Sequence, residues 1–187
     1  LQLGDGGTTG SLSTAINNSG TVAFDHSNDL AYALPLSGSG AVAQIGNGQT
    51  TLSDHNTYTG GTMISDGSLL GSTTSFGTGG IVDNASLVVE QDTDGTLVNT
   101  VSGTGTLTKQ GTGDVTLNTI NTYSGGTTVT GGILTGTTTS FGSGGVADNA
   151  ALALSQDTDG QMANTISGTG HRWHAGEHGQ RYWHPDQ

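Results

Sequence analysis

The chain repeats itself every 65 residues, and nothing else in it constrains the fold as strongly. Asn56-Thr57-Tyr58-Thr59-Gly60-Gly61-Thr62 returns as Asn121-Thr122-Tyr123-Ser124-Gly125-Gly126-Thr127. The same offset carries Phe76-Gly77 onto Phe141-Gly142, Asp83-Asn84-Ala85 onto Asp148-Asn149-Ala150, and Gln91-Asp92-Thr93-Asp94-Gly95 onto Gln156-Asp157-Thr158-Asp159-Gly160. In the other direction, Val101-Ser102-Gly103-Thr104-Gly105 maps onto Leu36-Ser37-Gly38-Ser39-Gly40. Copies therefore run about 1–55, 56–120 and 121–170. Self-similarity at a fixed period marks an array whose units bury their apolar faces only by stacking on one another.

Within each copy the signals are those of short strands. Thr106-Leu107-Thr108, Val115-Thr116-Leu117, Thr127-Thr128-Val129 and Leu152-Ala153-Leu154 alternate in polarity or size, as strands with one buried face do. Gly pairs, Gly-Thr-Gly and Asp-Asn separate them and suit tight corners. A sandwich has no reason to repeat every 65 residues, and a propeller blade of about 40–50 residues brings aromatic signatures that are missing here. The expectation is an all-β parallel solenoid of about 20–22 residues per coil. Three coils would fill each 65-residue unit and nearly eight would fill residues 1–170, a rod on the order of 40 Å long. On that reading Tyr58 and Tyr123 lie on one line, and Leu107 points inward while Thr108 points outward.

Composition narrows function. Gly supplies 34 of 187 residues and only 10% are charged, so much of the core must be built from small side chains. Residues 1–170 hold 13 acids and one cation, Lys109, which argues against binding nucleic acid or an anionic lipid surface. There is no cysteine, hence no disulfide framework and no Cys-based metal site. The chain opens at Leu1 without Met or a signal peptide, and no apolar run is long enough for a membrane helix, so direct membrane insertion is not expected. A piece of a longer gene is the expectation.

Residues 101–117 and 121–134 resemble the autotransporter passenger-associated strand repeat. The shared pattern is Gly-x-Gly-x-Leu-Thr-Lys, then Gly-x-Gly-x-x-x-Leu, then Asn-Thr-Tyr-x-Gly-Gly-Thr. It recurs at 38–62 with Gln44 in place of Lys109. The resemblance implies a right-handed parallel β-helix displayed outside a Gram-negative cell, in a stalk or adhesive role. Its partners would be host or matrix glycans or proteins. The C-terminal β-barrel that anchors such passengers has no counterpart in these residues.

Residues 171–187 differ from the rest. Both Trp, both Arg and four of the six His lie here. His171, His174, Glu177 and His178 suggest metal ligands. Back-translated and read one base later, however, the tail permits Thr93 through Lys109 at every position. We therefore read it as an out-of-frame repeat, with no evolved site and either disordered or loosely laid on the last coil.

The remaining chemical candidates are few. Asp92/Asp94 and Asp157/Asp159, with Asp29 as the equivalent of Asp94, suggest paired acid–base carboxylates or weak Ca²⁺ ligands. Asp-Thr-Asp-Gly reads better as a solvated corner. Tyr58 and Tyr123 suggest glycan stacking but read better as corner packing, and Phe76 and Phe141 as stacked core. Asn56 and Asn121 are expected to hydrogen-bond neighbouring coils. His26 and His55 read as isolated and exposed. A β-helical polysaccharide-degrading enzyme is the alternative, weakened by the lack of cations for uronates. No catalytic, cofactor or metal residue is assigned.

Overall fold

The computed structural model describes residues 1–53, 55–157, 159–175 and 181–183, with side chains described as far as residue 170. The described residues form strands, turns and bends, with no helix. Strands are two to five residues long, and all but the last pair are parallel, as a coil that always turns the same way requires. Successive coils are offset by 18 to 21 residues, and about eight of them stack.

Three sheets form the sides. The first runs from Gln2–Leu3 through Ala41–Gln44 to Val101–Ser102, and the second, of eight strands, from Leu30–Tyr32 through Thr106–Gln110 to Ile166–Ser167. The third runs from Gly95–Leu97 through Val115–Leu117 to His171–Ala175 and Arg181–Trp183. A separate two-stranded sheet of Ile16–Asn17 and Leu36–Ser37 lies near the N-terminus.

Alternation sets which residues face the core. In Thr106–Gln110, Leu107 and Lys109 are buried while Thr108 between them is half-exposed, as expected from Thr-Leu-Thr. Leu69, Leu87 and Leu107 stack in one inward file, and Val115, Leu134 and Leu152 in another. Each file buries apolar surface against its neighbours above and below, so chains poor in large side chains still form a core.

The expected coil count per repeat fails. The 65-residue unit is not three coils but three and about a third. From Val42, three coils lead through Thr62 and Ile81 to Val101. Leu107, the repeat equivalent of Val42, lies six residues further on, in the second sheet rather than the first. Each copy is thereby turned onto the next side of the prism. Tyr58 follows Gly38 and precedes Thr78 in its file, whereas Tyr123 follows the corner at Gly103 and precedes Ser143, so the two tyrosines do not share a line. The parallel ladder itself is unaffected, since coil-to-coil pairing does not depend on where the sequence repeats.

The backbone of the tail lies on the last coil, one of the two arrangements expected for it. His171–Ala175 pairs in parallel with Ala151–Leu154, and Arg181–Trp183 folds back antiparallel on it. An exposed sheet edge offers hydrogen bonds that any backbone can accept, whatever its side chains.

Candidate functional site

The groups singled out by sequence sit at the corners between sheets, where the backbone must turn and its polar groups leave the ladder. Asn56 bridges three coils: its Oδ1 accepts from the Leu36 amide at 2.8 Å and its Nδ2 donates to the Ser75 carbonyl at 2.7 Å. Asn121 repeats this with the Val101 amide and the Ser140 carbonyl, both at 2.7 Å. Two residues on, Tyr58 and Tyr123 are fully buried. Their hydroxyls meet Thr62 Oγ1 at 2.7 Å and Thr127 Oγ1 at 2.5 Å, and burial pushes both phenols up. Such rings cannot stack on a glycan. Phe76 and Phe141 are core residues as expected. Gly77 and Gly142, which follow them, have φ of 61° and 62° and lie against Tyr58 and Tyr123, where a Cβ would collide with the ring and carbonyl.

Lys109, the one cation of residues 1–170, lies inside the solenoid between Val89 and Val129 in its file. Its Nζ donates to the carbonyls of Gly111 at 2.8 Å, Gly113 at 2.5 Å and Gly131 at 2.7 Å, closing its own corner and pinning the next. Burial lowers its pKa, while Asp114, Asp92 and Asp94 pull it back up. Gln44 holds the equivalent corner through Nε2, with Gly46 O at 2.7 Å and Gly48 O at 3.0 Å. Lys109 is thus a buried clamp, out of reach of a polymer lying on the outer surface.

Asp92 and Asp94 are exposed at a bend, as are Asp29, Asp157 and Asp159. Asp94 Oδ1 accepts from the Asp114 amide at 3.0 Å, and Asp114 Oδ1 from the Ile133 amide at 2.9 Å, so one carboxylate per coil satisfies the coil above. A shallow open groove runs beside them, lined by Ser72, Thr73, Glu90, Asp92 and Asp94. Among the described residues no three His, Cys, Asp or Glu side chains are grouped to hold a metal ion. His55 is exposed as expected, but His26 is buried, with Nε2 2.7 Å from the Gly10 carbonyl. It lies inside because its repeat position, shared with Gln91 and Gln156, faces the corner interior. The side chains of His171, His174, Glu177 and His178 lie outside the described residues.

The corner motif, its clamp and its bridging asparagine all fall within two stretches that match a family model, that of the passenger-associated-transport-repeat, at residues 42–70 and 107–135. The family model thus matches the chain at two places. The matched stretches stand 65 residues apart, the offset of the internal repeat, and each starts at an inward strand residue, Val42 or Leu107. Comparison with curated proteins and with solved structures gives no match. The passenger-associated repeat and the β-solenoid together fit an autotransporter passenger region.

Two sets of corner residues escaped the sequence reading. Asn99 and Asn164 each donate from Nδ2 to a run of carbonyls, with Gly79 O and Gly144 O at 2.6 Å. Asp83 and Asp148 are fully buried at the ends of their strands. The available signal was their recurrence at the 65-residue offset, which for Asp83 suggested only a turn.

Proposed function

We propose that this chain is a stretch of the structural stalk of an autotransporter passenger, carried through the outer membrane and displayed at a Gram-negative cell surface. There its outer faces meet host or matrix glycans or proteins. The observation that supports this best is the use made of the conspicuous polar side chains. Asn56, Asn121, Lys109, Tyr58, Tyr123, Asp94 and Asp114 are all engaged within or between coils, which serves a rod rather than a reaction. No helix among the described residues is long and apolar enough to cross a membrane.

The test is display. The chain is inserted in frame between a secretion signal and an autotransporter barrel, and intact cells are labelled with an antibody to the insert and then shaved with protease. Surface labelling that protease removes supports the reading, while retention in the periplasm overturns display. Binding to arrays of glycans and matrix proteins tests adhesion. Release of sugars from a panel of acidic and neutral polysaccharides would instead favour a degradative enzyme.

A further inference from the structure

We infer that the Asp83 carboxyl is a proton-operated latch between consecutive coils: as the neutral acid it donates to the Thr106 carbonyl, and as the carboxylate it loses that bond. The argument starts from copy one, where Asn18 occupies the equivalent position. Asn18 Oδ1 accepts from the Gly20 amide at 2.9 Å, and its Nδ2 donates to Gly20 O at 3.1 Å and to Ala41 O, one coil away, at 2.8 Å. The backbone around Asp83 is the same. Gly105 N donates to Asp83 O at 2.8 Å as Gly40 N does to Asn18 O at 2.8 Å, and Asp83 Oδ1 accepts from the Ala85 amide at 3.0 Å.

Oδ2 of Asp83 therefore takes the place of an amide NH₂ that faces carbonyl oxygens. It is buried and has no hydrogen-bond partner among the described residues. Oδ2 accepts no hydrogen bond there, so the carboxylate is held only by the amides acting on the rest of the group, whereas a protonated Oδ2 has a donor's role ready. Gly105 is pressed against this carboxyl so closely that a Cβ would overlap it. The titratable group facing Asp83 from the next coil is Tyr123, whose hydroxyl is bonded to Thr127 and whose pKa is raised by burial and further by Asp83. Desolvation raises the Asp83 pKa to about 6, while the amides of Ala85 and Leu87 work against the rise, and no neighbouring charge contributes.

The sign follows from linkage. A carboxyl whose folded pKa lies above its unfolded value stabilises the fold fully below the unfolded pKa of 3.8, and this stability is lost as pH rises through about 6. A rise of that size corresponds to about a hundredfold in the folding constant. The experiment compares the full chain with Asp83→Asn by urea unfolding from pH 4 to pH 8. Asp148 is present in both and cancels from the ratio if the sites act independently. Asp83→Asn is expected to have the larger folding constant by about a hundredfold at pH 8, narrowing toward equality near pH 4. The converse, Asn18→Asp, should import the same pH dependence into copy one. A ratio that does not change with pH, or an Asp83→Asn chain less stable than the parent at pH 8, overturns the latch. An Asn18→Asp chain whose stability relative to the parent is flat across this range also overturns it.

Discussion

A buried ammonium is a costly group for a core, and Lys109 is tolerated because three carbonyls replace its water. Gln44 does the same task in copy one with two carbonyls and no charge. Lys109→Gln should therefore cost little, about 1 kcal/mol for the lost bond to Gly131 O. Lys109→Met leaves all three carbonyls buried without a donor and should cost about 3 kcal/mol or more. Chemical denaturation of the two variants side by side measures the difference. An equal loss for both would mean that the charge, balanced by Asp92, Asp94 and Asp114, matters more than the hydrogen bonds.

At the scale of one strand, Thr106–Gln110 pairs with Ser86–Glu90 on one side and Thr127–Val129 on the other. Leu107 is 1% exposed between Leu87 and Thr127, so Leu107→Asp puts an unpaired carboxylate into a closed file. The expected loss exceeds the roughly 2–5 kcal/mol of a Leu→Ala cavity. Thr108→Asp lies on the outer face beside Val88 and Thr128 and should change stability by about 0.5 kcal/mol or less. Limited proteolysis should cut the Leu107 variant near the middle of the rod, leaving two short halves, and leave the Thr108 variant intact. Much of this was legible beforehand. Period-two alternation located the inward residues, and the Asn-Thr-Tyr motif located the corners. The insertion of Lys109 and Asp83 into the core was not legible, because polarity alone assigns both to solvent.

For the whole rod, the mismatch between a 65-residue repeat and coils of 18 to 21 residues has a mechanical consequence. Deleting residues 56–120 joins His55 to Asn121, which then meets Leu36 as Asn56 does now. Every file is refilled by its repeat equivalent, and the rod shortens by about 16 Å at roughly 4.8 Å per coil. Deleting only 62–80 keeps the strands in their columns but sets Ile81 where Thr62 holds the Tyr58 hydroxyl and removes Ser75, the acceptor of Asn56. The larger deletion should unfold cooperatively near the parent's melting temperature, and the smaller one well below it. Circular dichroism melts with small-angle scattering for length check both; the opposite ranking would show that column geometry outweighs corner chemistry.

The sequence by itself determined that the chain is an array, that its strands alternate, that its corners are glycine-rich and that it resembles a passenger repeat. These are local or periodic properties, visible wherever residues recur at fixed offsets. Only the tertiary structure decided how many residues close one coil, because that depends on how far each corner turns and not on where the sequence starts again. It alone turned Tyr58 and Tyr123 onto different sides of the rod, and put His26, Lys109 and Asp83 inside it. A polar side chain can be buried where the backbone of a neighbouring coil offers it partners, and that neighbour lies about 20 residues away, beyond any local pattern.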